Sequence, residues 1–411
     1  MTVDLQLQPT TEPGRQFVEL AEKHAADFAT RAEQHDREGS FPTENWEAMR
    51  QSGFLAACAP ADMGGLGLES LFDVTVGLNR LGRADPSAGI GVNMHAVTAW
   101  MLNRYLGLLG RHDYTEVLQA HLRAIGSGEA VFCTAGTEPG SNPMYPMTTA
   151  TPVESGYRIN GRKIFATNSP VATWFFTIVR VDDGTGGYQS GGAYVPRDTP
   201  GVTINNDWDA LGMRASGSNS MTFEDVFVPA DQVITFGPWG SRPTFHYEIA
   251  TVGNIGILGV FLGIAEAARD ATVELARGRT RARTGRPLAE RHAVQHVIGE
   301  LEVDVHVMRA AVEHCGLLLD ATYGGRFPSE DELVATMRHF QATKTFVNQR
   351  AIEAVDRAMR ASGGAGFMAA SPLARMYRDV RAGPFMQPWS PLEVYTYLGQ
   401  LALGLDPTDD G

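Results

Sequence analysis

The groups in this chain whose type and spacing could do chemistry are spread along its whole length. Between Arg277 and Arg291 lie six arginines, Arg277, Arg279, Arg281, Arg283, Arg286 and Arg291, in a chain where acids outnumber bases 47 to 34 and the net charge is −13. Such a run reads either as a solvated helix end or as a landing site for a pyrophosphate or an acidic carrier protein. The turn Gly363-Gly364-Ala365-Gly366 lets a backbone come close to a ligand. A helical pattern and not a strand precedes it, so it is no dinucleotide-fold fingerprint. Phe165 and Thr167 are two apart in a strand-like run and are expected on one face of that strand. The three cysteines, Cys58, Cys133 and Cys315, are distant and in no CxxC spacing, which gives neither a disulfide framework nor a zinc site.

These groups need a scaffold, and 411 residues with 43 % hydrophobic and 20 % charged content can build two or three packed domains. The acidic balance argues against a nucleic-acid binder. The first fifteen residues carry Asp4 and Glu12 and no apolar core of a signal peptide. No uncharged apolar run is read as approaching the roughly 20 residues of a membrane span, and a reducing cytoplasm is the simplest compartment. Apolar residues recur at helical steps through residues 1–130, with a close-packed glycine loop at Gly64-Gly65-Leu66-Gly67. Residues 131–243 hold short Val-, Ile-, Thr- and Phe-rich runs. Among them, Tyr157 to Ile164 reads as a hairpin turning at Asn160-Gly161. Residues 244–411 are helical again, with long helices at about 249–278, 294–319 and 332–361 that should pack as an antiparallel bundle.

Six motifs inside this helical–β–helical order resemble the acyl-CoA dehydrogenase superfamily of flavoproteins, over nearly the whole chain. They are Pro60…Gly64-Gly65-Leu66-Gly67, Thr137-Glu138-Pro139-Gly140-Ser141-Asn142, Gly161-Arg162-Lys163-Ile164-Phe165-Ala166-Thr167-Asn168, Leu211-Gly212-Met213-Arg214-Ala215-Ser216 with Phe223 to Pro229, Arg281…Gly285-Arg286-Pro287-Leu288, and Gly363 to Phe367 with Arg375…Arg378-Asp379. The resemblance implies an α+β fold: an N-terminal helical domain, a middle β-barrel or sandwich, and a C-terminal four-helix bundle. It implies FAD, with Thr137 and the backbone of Ala135 and Gly136 at the flavin's polar edge, Ser141 on a phosphate, Phe165 beside the ring and Thr167 at N5. Arg281 and the Gly363, Gly364 and Gly366 turn would meet the pyrophosphate across a dimer interface in a homodimer or homotetramer. Two family glutamines on that side are replaced, one by His292 and one by Arg360.

The family reaction removes an α-proton from an acyl thioester with a carboxylate while hydride passes to flavin. The usual glutamate position is Gln387, and the alternative helical position is Gly253. Glu393, Glu248 and Asp209 are the remaining candidates for a displaced base. His95, Arg214, Ser216, Trp389 and Tyr395 are expected along the substrate pocket, His95 alternatively as a core histidine. The main expectation is a desaturase of an acyl thioester, carried on CoA or an acyl carrier protein, with an electron-transfer partner or O2. The alternatives are a flavin-dependent monooxygenase or oxidase on the same fold, and a ligand-binding protein without redox chemistry.

Overall fold

The computed structural model describes residues 6–109, 114–140, 144–242, 244–386, 389–405 and 407. Six helices come first: α1 (Glu12–Phe28), α2 (Ala32–Glu38), α3 (Thr43–Gln51), α4 (Leu71–Ala84), α5 (Pro86–Leu109) and α6 (Thr115–Gly126). Thr11 caps α1 and Ser70 caps α4, each accepting a hydrogen bond from a first-turn N–H. The glycine loop before α4 is packed as its composition requires, since a Cβ on Gly65 would stand 2.0 Å from the Ala59 carbonyl.

Eight strands follow: β1 (Phe132–Ala135), β2 (Thr149–Val153), β3 (Gly156–Ala166), β4 (Trp174–Asp182), β5 (Tyr188–Pro196), β6 (Val202–Ile204), β7 (Asn219–Pro229) and β8 (Val233–Pro238). They form one sheet in the order β6-β7-β3-β2-β4-β5-β8, with β1 parallel to β4. The sheet has its own core of Ile159, Phe175, Val179, Val195, Phe223 and Val226.

The hairpin expected at Asn160-Gly161 is absent. There β3 runs on, with a register shift against β7 that marks a β-bulge. Gly161 is required by closeness, because a Cβ would lie 2.4 Å from Thr148 Oγ1. The reversal occurs instead at Glu154-Ser155, with Ser155 at φ 67°.

The chain ends in α7 (Thr244–Gly278), α8 (His292–Tyr323), α9 (Glu330–Ser362), α10 (Pro372–Asp379) and α11 (Pro391–Ala402). Between Glu248 and Glu266 lie 17 uncharged residues, so α7 does approach the length and apolarity of a membrane span, contrary to the sequence reading. Most of that segment is buried as a core helix. Its most extensive partner is α4. A Cβ on Gly259 would lie 2.3 Å from the Thr75 carbonyl, one on Gly263 2.5 Å from that of Asn79, and one on Gly82 2.5 Å from that of Val260. Glu266, fully buried on α7, locks the seam: Arg309 Nε of α8 donates to Oε1 at 2.6 Å and Asn79 Nδ2 of α4 to Oε2 at 3.0 Å.

Gly259→Leu is therefore expected to lower stability by about 3 kcal/mol, the cost of overpacking a seam with no room. Gly253→Ala, on the same helix but with nothing within 4 Å of the added methyl, should be neutral or stabilising by up to about 1 kcal/mol. Thermal unfolding of both variants checks the contrast.

Candidate flavin and substrate site

Residues expected at the flavin gather at the ends of β1 and β3. Beyond Ala135, Thr137 is half-buried and its carbonyl accepts from Ile164 N at 2.9 Å. Its hydroxyl has no partner among the described residues, which leaves it available to a ligand. Phe165 and Thr167 do not share a face. Phe165 takes a left-handed backbone, φ 58°, which breaks the strand alternation at its end and leaves the ring 55 % exposed, edge-on to Trp208. Thr167 turns inward, and its hydroxyl bonds Ser218 Oγ at 2.9 Å, which in turn bonds Ser216 Oγ at 2.7 Å. Ser216 is thus joined to Thr167 by a buried chain of hydroxyls and faces no open substrate cavity. Ser141 and Gln387 lie outside the described residues.

Beneath the Thr137 loop is a buried ion pair that the sequence reading passed over. Lys163 Nζ donates to Glu138 Oε1 at 2.6 Å, and the N–H groups of Met147 and Thr148 donate to the same carboxylate at 2.6 and 2.8 Å. Burial would raise the Glu138 pKa, but the Lys163 charge and these donors outweigh it and hold it below the usual carboxylate range. A lysine at an inward strand position, with a Glu in the preceding motif, was the available signal.

The other substrate-side candidates divide between the core, the scaffold and a cavity wall. His95 is a core residue: Nε2 lies 2.8 Å from the Leu55 carbonyl and Nδ1 accepts from Phe132 N at 3.0 Å. Burial pushes its pKa down to about 4, which keeps the ring neutral. Arg214 is tied to the scaffold, with Nε on the Asp36 carbonyl at 2.8 Å. The Arg378-Asp379 pair holds that same loop. Asp379 accepts from Met213 N at 2.7 Å, and Arg378 forks onto Asp36 at 2.8 and 2.6 Å. Trp389 and Tyr395 share the wall of a cavity of about 230 Å³ with Lys344 and Asn348.

None of the displaced-base candidates is free for proton abstraction. Glu248 is buried between Arg104, at 3.2 Å, and the Tyr105 hydroxyl, and burial raises its pKa. Glu393 closes the capping box of α11 on Ser390 N at 2.7 Å. Asp209 is 92 % exposed, beside Arg214 at 3.4 Å. At Gly253, an added Cβ would meet nothing within 4 Å. Beside this space Asn93, fully buried, donates Nδ2 to the Gly253 carbonyl at 2.8 Å, while its Oδ1 has no partner. A polar side chain inside the apolar run of α5 was a signal the sequence reading did not use.

The remaining cofactor candidates stand on the helical bundle. Arg281 opens the tight turn between α7 and α8, where its carbonyl accepts from Gly285 N at 2.8 Å and its Nε is buried without a partner. His292 begins α8 and is exposed. Arg360 pairs with Asp356 at 3.2 Å at the end of α9. Gly363 is at φ 63°, and added Cβ atoms at Gly363 and Gly364 would meet open space, whereas one at Gly366 would crowd Ser362. An unpartnered Thr137 hydroxyl, an exposed ring in left-handed backbone and an orphaned guanidinium nitrogen fit a flavin and its phosphate.

Lys163→Met, which strands the Glu138 charge, is expected to cost about 3–5 kcal/mol and to lower flavin content. Adding Glu138→Gln should recover much of the stability, since both charges are then removed. Thermal unfolding and the flavin-to-protein absorbance ratio read the two effects.

Models of the acyl-CoA dehydrogenase N-terminal, middle and C-terminal domains match residues 11–106, 133–226 and 255–386. An L-evernosamine nitrososynthase of a Micromonospora strain is 34 % identical over 415 residues, spanning 98 % of this chain and 93 % of that protein. An amino sugar nitrososynthase of Streptomyces peucetius is 33 % identical over 402 residues, with 97 % and 95 % covered. The solved structure of KijD3 with FMN and dTDP-3-amino-2,3,6-trideoxy-4-keto-3-methyl-D-glucose superposes with a TM-score of 0.90 at 32 % identity, covering 98 % of this chain and 96 % of that one. Such relatives are flavoprotein oxidoreductases, and this chain is an enzyme of that kind. It belongs to the acyl-CoA dehydrogenase family.

Proposed function

We propose that this protein is a flavin-dependent N-oxygenase that acts on the amino group of a nucleotide-linked amino sugar. The observation that carries the reading is the state of the carboxylates. Glu248, Glu393 and Asp209 are engaged or at the surface, and the two family base positions are Gly253 and Gln387. Desaturation of a thioester needs a free base beside the α-carbon, whereas oxidation of an amine needs a neutral nitrogen and room for it. The names of the two nitrososynthases and the ligands of KijD3 support the same choice. They favour the oxygenase alternative over acyl desaturation.

When bound, a reduced flavin supplies the electron pair and the O2 activation that put one oxygen atom on nitrogen and release the other as water with two protons. Thr137, Phe165 and Thr167 would hold its ring system. Asn93, whose Nδ2 donates to the Gly253 carbonyl at 2.8 Å, would fix the backbone beside the space left by the absent side chain at Gly253, where the amine would lie. We infer FMN as the cofactor. Arg360 and His292 replace the family's adenosine-side glutamines, and Arg360 is taken up by Asp356. Arg281 and the glycine turn would serve the flavin of a second copy of the chain. Phe367, directly after that turn, is 82 % exposed, which suits an interface between copies.

Flavin released by heat should chromatograph as FMN. With a flavin reductase, O2 and a dTDP-linked amino sugar, the protein should form the hydroxylamine, seen by mass spectrometry as a gain of one oxygen. Bleaching of the oxidised flavin by an acyl thioester under anaerobic conditions would overturn the reading. Gly253→Leu, which fills the space, should reduce kcat/KM for the amino sugar by about 100-fold, as blocked positioning does, with flavin content unchanged.

A further inference from the structure

Of the 34 basic residues in this chain only three are lysines, Lys23, Lys163 and Lys344, and the last two are buried. Lys163 is neutralised by Glu138. Lys344, on α9 and 3 % exposed, has no carboxylate within 4 Å among the described residues. Its Nζ donates instead to the carbonyls of Met386 and, at 3.0 Å, Trp389. An ammonium carries three protons, so one is left over. Two carbonyl dipoles compensate a full charge only in part once water is excluded. Burial accordingly pushes the Lys344 pKa down to about 7, against the pull of Glu393 on α11.

Lys344 lines the cavity of about 230 Å³ that Trp389 and Tyr395 also share. One side of it is a single face of α9, on which Lys344, Thr345, Asn348, Gln349 and Ile352 recur at helical spacing. Asn348 braces the opposite side as Lys344 does, donating Nδ2 to the Gly383 carbonyl at 2.8 Å. That opposite side is made of Pro384, Trp389, Pro391 and Tyr395. The prolines have no N–H to give, and Lys344 is the one cation in the lining. The Thr345 hydroxyl has no partner among the described residues. At the mouth the Tyr395 hydroxyl lies 3.4 Å from Gln349 Oε1, and both residues are exposed, so a solute can enter between α9 and α11.

This lining selects for one kind of ligand. The volume lies below the roughly 300–1,000 Å³ of pockets for drug-sized molecules and asks for a small one. Ring and proline faces ask for an apolar, flat body. One unpaired cation asks for a single negative charge, and a phosphate would bring a second charge with nothing to meet it. A carboxylate brings one, with two oxygens for the Lys344 ammonium and the Thr345 hydroxyl.

We propose that this cavity is a binding site for a small aromatic carboxylate, whose anion accepts from Lys344 and Thr345 and whose ring packs on Trp389. None of the residues that line it is among those assigned above to the flavin or to the amine. The site therefore goes beyond the N-oxygenase reading and does not depend on it.

The test is calorimetric titration of the flavin-loaded protein with benzoate. Benzamide has the same shape without the charge, and it should bind at least about tenfold more weakly, the loss of a charge-assisted contact. Lys344→Met should weaken benzoate by a similar factor and leave benzamide unaffected. Ile352→Trp, which fills the cavity two turns away from Lys344, should abolish the binding of both with flavin content unchanged. If Lys344→Met fails to fold, protection of the wild type takes its place. Benzoate at about ten times its Kd should slow the acylation of Lys344 at neutral pH about tenfold, read by mass spectrometry, while the exposed Lys23 reacts as before. No heat with benzoate, equal affinity for benzoate and benzamide, tighter binding of inorganic phosphate than of benzoate, or unchanged acylation of Lys344 would each overturn the carboxylate site. All of these outcomes are read without turnover, so none of them bears on the N-oxygenation reading.

Discussion

The contact between α4 and α7 is the constraint on which the rest of the molecule depends. The two backbones meet so closely that Gly82, Gly259 and Gly263 have no space for a side chain. A seam of that kind gains dispersion along its whole length and permits one register only. Glu266 fixes that register, because a buried carboxylate without its partners is far costlier than a misfit methyl group. Asn79 meets it from the first group of helices and Arg309 from the last, so one residue joins the two ends of the chain. The sheet is then held against this frame by α5, through His95 on Phe132 N and Thr98 on Thr134.

Acidic groups carry much of the scaffold. Glu138 anchors the loop under Thr137, Asp379 and Asp36 hold the Met213-Arg214 loop, Glu248 fastens α7 to α5, and Glu393 starts α11. Each accepts hydrogen bonds or faces a guanidinium, which occupies the oxygens that a base would need free. The chain retains the family's frame while the carboxylates near its site do structural work. Proton abstraction from carbon is the chemistry that such an arrangement serves least well.

What the site offers instead is space and neutral polarity. An added Cβ at Gly253 would meet nothing within 4 Å, and Asn93 holds the Gly253 carbonyl through Nδ2.

Much of this was readable in the residue string. The helical, β, helical order followed from hydrophobic period, and the family from six short motifs whose glycines and prolines mark turns in any context. The missing base was a matter of residue identity at Gln387 and Gly253. Position along the chain could not tell which side chains meet. The dipeptide Asn160-Gly161 suits a turn and a bulge equally, and only the pairing of β3 with β7 separates them. Phe165 and Thr167 parted company because one left-handed residue undoes the alternation of a strand. His95, Arg214 and Ser216 have the chemistry of site residues, yet Leu55, Phe132 and Asp36 engage the first two from distant segments, and Ser218 ties Ser216 to Thr167. Whether a polar group is scaffold or site depends on whether the fold satisfies it, and that is a property of three-dimensional neighbours that no spacing along the sequence encodes.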